Sequence, residues 1–196
     1  LDYSNYGLAV EVDVSGGLAT NIFKGISGIE DVIGSPVGNI ITGDNYDNVL
    51  VGTGANDQIN GLGGDDTIIG TLGTDDIDGG AGNDTIDYSG TTNGVTVNLG
   101  AGTATGTEID TDTLTNIENI IGGSGNDDLT GDGANNIITP GAGNDTLAGA
   151  GGNDTYICAN NAGTDTLTDS GGADTVDYSA VTNSPTNTFE IAALGD

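Results

Sequence analysis

A chain of 196 residues with 30 acidic groups and a single basic one, Lys24, carries a formal net charge of −29. Such self-repulsion favours expansion, and the lack of a basic surface excludes nucleic acid as a partner. Leu, Ile, Val and Phe make up roughly a fifth of the chain, near the level below which highly charged sequences stay disordered. A thick two-layer core is therefore excluded, and something that binds acidic groups has to supply the missing stability. Bound cations are the obvious candidate.

In chain order, residues 1–33 open on Leu1-Asp2-Tyr3-Ser4 without a signal peptide, which reads as the interior of a longer protein. Val10-Glu11-Val12-Asp13-Val14 alternates as a half-buried strand does, and Gly25–Ile33 is a second apolar segment. From Gly34 a nine-residue repeat runs without a break, with blocks starting at 34, 43, 52, 61, 70 and 79, so that residues 34–87 form a first unit. Residues 88–121 leave the repeat. Val95-Thr96-Val97-Asn98-Leu99 and Thr113–Ile121 predict longer strands that continue the solenoid, or a small separate sheet. The repeat resumes over residues 122–177, with blocks at 122, 131, 140, 149, 160 and 169 and a two-residue insertion, Cys158-Ala159. Residues 178–196 begin a third unit, since Asp-Tyr-Ser at 2–4 and 87–89 recurs at 177–179. A shift of 88 residues lays Ile29–Ile69 on Ile117–Ile157 without a gap. No apolar run is long enough to cross a membrane, and the lone Cys158 forms no disulfide framework.

Inside each block the eighth position is always large and apolar: Ile41, Leu50, Ile59, Ile68, Ile77, Ile86, then Leu129, Ile138, Leu147, Tyr156, Leu167, Val176. A flexible acidic linker would not hold that period. The sixth position is Asp or Asn, and the first five are mostly Gly, Asn or Ala, which suit tight turns and positive φ. Each block thus predicts a turn followed by a short strand whose eighth side chain points inward. Two blocks return the chain above its start, so residues 18 apart stack at about 4.7–4.9 Å. The fold expected is all-β, a parallel β-roll or β-helix solenoid with two blocks per turn.

Stacking places Asn39, Asp57 and Asp75 along one edge and Asn48, Asp66 and Asp84 along the other. In the second unit the columns are Asp127, Asp145, Asp165 and Asn136, Asp154, Asp174. Carboxylates about 5 Å apart repel unless a cation lies between them. Carboxylate and turn-carbonyl oxygens, without His or a Cys cluster, match a hard cation of flexible coordination: Ca2+ rather than Mg2+ or Zn2+.

The blocks, such as Gly79-Gly80-Ala81-Gly82-Asn83-Asp84-Thr85-Ile86-Asp87, closely resemble the G-G-x-G-x-D-x-U-x nonapeptide of the repeats-in-toxin, or haemolysin-type calcium-binding, family. The resemblance implies several Ca2+ ions held between turns two blocks apart by the sixth-position Asp and by turn carbonyls. Carried over, the expected sites pair Asp57 with Asp75, Asp66 with Asp84, Asp127 with Asp145, Asp145 with Asp165, and Asp154 with Asp174. The carbonyls belong to turns such as those at Gly80 and Gly82, Gly123 and Gly125, and Gly141 and Gly143. Sites using Asn39, Asn48 or Asn136 lose a charge and are expected to be weaker or empty, and the Gly34 block is expected to cap the roll.

The resemblance also implies export in an unfolded state, with folding triggered by extracellular calcium. A calcium-dependent structural module of a secreted or cell-surface bacterial protein follows: an adhesin, a surface layer or an extracellular matrix fibre. End-to-end self-association into filaments or layers is a corollary of open solenoid ends. The alternatives are an accessory module of a secreted enzyme and a carbohydrate- or ice-binding solenoid. Seventh positions Ile40, Val49, Gln58, Thr67, Asp76 and Thr85 are too irregular for an ice-matching ladder. Catalysis is not expected, because every carboxylate pair belongs to the stacked array and no His is present for acyl transfer.

Overall fold

The computed structural model describes residues 1–15, 18–19, 29–158, 163–182 and 188–194. Lys24, the first part of the predicted Gly25–Ile33 segment, Ala159 of the insertion and the opening of the block at 160 lie outside the described residues. All regular structure among the described residues is strand. Two compact units are present. One comprises Leu1–Ile86 with Ile109–Ile117, and the other comprises Asp87–Glu108 with Glu118–Asp196.

In the first unit the strands form two parallel ladders, and Leu18–Ala19 pairs antiparallel with Glu11–Asp13 at the edge of one of them. One ladder contains Glu11–Asp13, Ile40–Thr42, Gln58–Asn60, Asp76–Asp78 and Asp110–Thr115. Its register brings Val12, Ile41, Ile59, Ile77 and Leu114 into one inward column. The other ladder runs through Asp31–Ile33, Val49–Val51 and Thr67–Ile69, with Val32, Leu50 and Ile68 in register. The seventh and ninth residues of these short strands face outward, as alternation in an extended chain requires. The expected strand at 10–14 is realised over Glu11–Asp13, and the end of the second segment over Asp31–Ile33.

The second unit repeats the plan. Val97, Leu129, Leu147 and Leu167 stack on one side and Ile120, Ile138, Tyr156 and Val176 on the other. The expected strand at Val95–Leu99 spans Val95–Asn98, and it folds back antiparallel against Thr103–Gly106. The predicted apolar segment at Thr113–Ile121 divides into Asp110–Thr115, which pairs with Asp76–Asp78 in the first unit, and Asn119–Ile121 in the second. The insertion after Ile157 lengthens the step from Asp145 to Asp165 to 20 residues without disturbing the Leu147–Leu167 register.

The three-residue strands of the repeat each turn one apolar side chain inward. Ile41, Leu50, Ile68, Ile77, Ile86, Leu129, Ile138 and Leu147 are fully buried, and Cys158 is buried with them. Tyr88 is fully enclosed, whereas Tyr178 remains 44% exposed. The strands are only three residues long in most blocks, so each turn of chain buries little apolar area. The arrangement of the turns therefore decides stability.

Candidate metal centres

In the blocks that open at Gly52, Gly61 and Gly149 the turn sends the sixth side chain back under the block's first residue. The reason is steric. A Cβ at Gly52, Gly61 or Gly149 would collide with the carboxylate of Asp57, Asp66 or Asp154, so glycine at the first position opens the room that the carboxylate fills. The consequence is burial of a charged group: Asp57, Asp66, Asp75, Asp84, Asp127, Asp145, Asp154 and Asp165 are all at least 97% buried. Asp174 is half-buried.

One hydrogen bond recurs up each column. The backbone N–H of a sixth residue donates to Oδ1 of the sixth residue one turn on. Asn39 donates to Asp57 at 2.6 Å and Asp57 to Asp75 at 2.9 Å. Asn48 donates to Asp66 at 2.7 Å and Asp66 to Asp84 at 2.8 Å. In the second unit the donors and acceptors run Asp127 to Asp145 (2.9 Å), Asp145 to Asp165 (3.1 Å), Asn136 to Asp154 (2.8 Å) and Asp154 to Asp174 (3.0 Å). The columns expected from spacing are therefore brought together, each pair adjacent.

Asp112 extends the first unit's column and was invisible to the nine-residue period. It is fully buried, and its Oδ1 accepts the Asp75 N–H at 3.0 Å, 37 residues apart in sequence. The run Asp112-Thr113-Leu114-Thr115 repeats the Asp-x-apolar-x end of a block, which is the signal that could have found it.

The second carboxylate oxygen divides the turns into two kinds. In the first kind it accepts the N–H of the block's second residue. Asp127 Oδ2 accepts from Gly123 at 2.8 Å, while Asn39, Asn48 and Asn136 accept from Ser35 (3.1 Å), Asp44 (2.9 Å) and Asp132 (2.9 Å). In the second kind, Oδ2 of Asp57, Asp66, Asp145 and Asp154 is buried with no hydrogen-bond partner. The second residue of each such block has positive φ: Thr53 at 71°, Leu62 at 73°, Gly141 at 93° and Ala150 at 77°. Three of these are not glycine, so left-handed strain is accepted where the turn N–H is swung away from the carboxylate.

An unpartnered, buried carboxylate oxygen is costly unless a cation meets it. The proton affinities agree. Burial, the largest cause, pushes the carboxyls of Asp57, Asp66 and Asp75 up to about 6 and that of Asp145 up to about 7. The neighbouring carboxylates Asp75, Asp84 and Asp165 push in the same direction on Asp57, Asp66 and Asp145 respectively. Burial also raises Asp127, Asp154 and Asp165 above the ordinary carboxylate range. These donors are all oxygen. Together with the turn carbonyls they suit Ca2+, and its charge would remove the penalty that burial imposes.

Among the glycines expected at the sites, Gly80, Gly82, Gly141 and Gly143 have positive φ (104°, 158°, 93° and 135°) and approach the backbone of the preceding turn closely. Gly123 and Gly125 sit in the turn whose N–H caps Asp127. Sequence reasoning also missed Asp169, a buried residue at a first position that is otherwise mostly glycine. One carboxylate oxygen from each of Asp154, Asp169 and Asp174 lies within 4.8 Å of the other two.

No curated protein matches the chain. The family model for the RTX calcium-binding nonapeptide repeat matches residues 33–68, 42–77, 51–86, 117–156 and 160–180, more than half of the sequence. Those segments contain every stacked sixth-position residue described above except Asp112. This chain belongs to the RTX calcium-binding nonapeptide repeat family, and its two units are calcium-binding parallel β-solenoids.

Proposed function

We propose that the chain is a structural module of a larger secreted or cell-surface protein, of adhesin, surface-layer or matrix type, that folds when calcium fills its turns. The observation that carries this reading is the set of buried, unpartnered Oδ2 atoms on Asp57, Asp66, Asp145 and Asp154. A chain of net charge −29 gains nothing from enclosing them until a divalent cation is bound. Asp57, Asp66, Asp75, Asp84, Asp145, Asp154, Asp165 and Asp174 supply carboxylates in this reading, Asp112 extends the Asp75 column, and Asn39, Asn48, Asn136 and Asp127 cap the start of each roll. The module boundaries follow the repeat: rolls over 34–87 and 122–177, lead-in strands over 1–33 and 88–121, and a further unit beginning at 178.

The stacked carboxylates serve as metal ligands in this account rather than as catalytic acids and bases, so the module is not an enzyme. End-to-end association of units belongs to the same reading, and sedimentation velocity with and without calcium tests it. The folding claim is tested by small-angle scattering in chelator and in calcium. The radius of gyration is expected to fall well below the ~47 Å of an unfolded chain of this length. A radius unchanged by calcium refutes the module as a calcium-gated fold.

A further inference from the structure

Two residues of the second unit depart from the repeat, and they meet. Tyr156 occupies the eighth position, where ten of the other blocks carry Ile or Leu and one carries Val. Asp169 occupies the first position, where most blocks carry Gly. The Tyr156 hydroxyl donates to Asp169 Oδ2 at 2.7 Å, and both side chains are buried. The Ser170 N–H donates to Asp169 Oδ1 at 2.7 Å, so the carboxylate is held from both sides with lone pairs to spare.

The space beside this pair already contains an oxygen without a partner. Asp154 is 1% exposed, its Oδ1 accepts the Asn136 N–H, and its Oδ2 has none. A Cβ placed on Gly149 would strike both Asp154 Oδ2 and the Tyr156 hydroxyl, so these two atoms converge on one spot. Asp174 completes the group, with its carboxylate displaced to a half-buried position while its Oδ1 accepts the Asp154 N–H. The other columns stack their carboxylates one above the next; this place alone among the described residues brings one oxygen from each of three within 4.8 Å of the other two.

We propose that Asp154, Asp169 and Asp174 form a three-carboxylate cation site beside Tyr156 that is the tightest site of the chain and takes trivalent lanthanides as well as Ca2+. The proposal rests on the reading of the sixth-position aspartates as metal ligands and adds a first-position ligand to them. Affinity of oxygen sites rises with the number of charged ligands, so the third carboxylate sets this site apart. Its neighbour Tyr156 also supplies a spectroscopic handle, because the chain has no Trp and a tyrosine beside a bound terbium ion sensitises its emission.

The test is a titration of the chelator-treated full chain with Tb3+, read by tyrosine-excited emission and by equilibrium binding. Three variants accompany it. Asp169→Gly restores the residue usual at that position, Asp169→Asn keeps size and an acceptor for Tyr156, and Tyr156→Phe keeps all three carboxylates. The first equivalent of Tb3+ is expected to emit strongly and to be displaced by Ca2+. Asp169→Gly and Asp169→Asn are expected to weaken that first step by about tenfold or more while leaving later steps in place. Tyr156→Phe is expected to remove most of the first-step emission while binding stays within about threefold. A first equivalent that binds Asp169→Gly as tightly as the parent overturns the proposal, as does first-step emission indifferent to Tyr156→Phe. Failure of the underlying calcium reading looks different: the parent chain itself then takes up no calcium.

Discussion

Asp127 and Asp145 look interchangeable in sequence, and the structure separates them. Asp127 has both oxygens occupied, Oδ1 by the Val95 N–H at 2.8 Å and Oδ2 by the Gly123 N–H at 2.8 Å. The corresponding residue of the first unit, 88 positions earlier, is Asn39, and its single Oδ1 accepts from both Val10 (3.3 Å) and Ser35 (3.1 Å). An asparagine therefore already performs this capping at the equivalent place. Asp127→Asn should cost under about 1 kcal/mol, the scale of one adjusted hydrogen bond, and should leave the calcium stoichiometry unchanged. Asp145→Asn is the contrast. Its Oδ1 can still accept the Asp127 N–H, but the unpartnered Oδ2 becomes an amide nitrogen that cannot ligate a cation. Loss of one ion costs about 2.7 kcal/mol when free calcium is 100 times its dissociation constant. The cost should shrink as free calcium falls toward the dissociation constant. Calcium-dependent denaturant melts, with bound calcium counted by equilibrium dialysis, read both variants. A calcium lost from Asp127→Asn, or an Asp145→Asn penalty that does not change with calcium level, refutes the division of turns into capped and receiving kinds.

Three other outcomes follow from the same geometry. Carboxyls raised by burial to about 6 or 7 in the fold, against an ordinary 3.8, mean that the calcium-free fold holds more protons than the unfolded chain. Its stability should fall as pH rises from about 4 to 7, while calcium affinity should be lost as pH falls through the same upper range. Calcium titrations at about pH 5.5 and 7.5 check this, and a midpoint indifferent to pH contradicts it. Leu62, at φ 73° and 36% exposed, carries left-handed strain that glycine would relieve, so Leu62→Gly should change the stability of the calcium-loaded fold by no more than about 1 kcal/mol in denaturant melts. Leu147 is fully buried in register with Leu129 and Leu167, and Leu147→Ala should destabilise by about 2–5 kcal/mol, enough to raise the calcium needed for folding.

The eighth-position column and the stacked sixth positions were legible because both depend on a fixed spacing that a reader can count. Register in a parallel ladder follows directly from it: Ile41 opposite Ile59 opposite Ile77. Asp112 escaped because its partner lies 37 residues away, outside any multiple of nine, so only tertiary pairing with Asp76–Asp78 reveals its place. Asp169 escaped for a different reason, since a carboxylate at a glycine position carries no meaning until the Tyr156 hydroxyl is found against it. The two kinds of turn were hidden in backbone angles. Thr53, Leu62 and Ala150 are not residues from which positive φ would be inferred, and their turns hold the unpartnered oxygens of Asp57, Asp66 and Asp154. Where strain of this sort persists, sequence propensity points away from the functional conformation.

The most direct test of the account is far-UV circular dichroism of the chelator-treated chain during titration with CaCl2, with MgCl2 as control. A cooperative change from coil to β signal is expected in Ca2+ and little in Mg2+, since buried oxygen sites of flexible geometry favour the larger ion. An unchanged β spectrum in chelator would contradict it. The buried aspartates would then stand in the fold without a cation, and calcium would not be what holds the turns together.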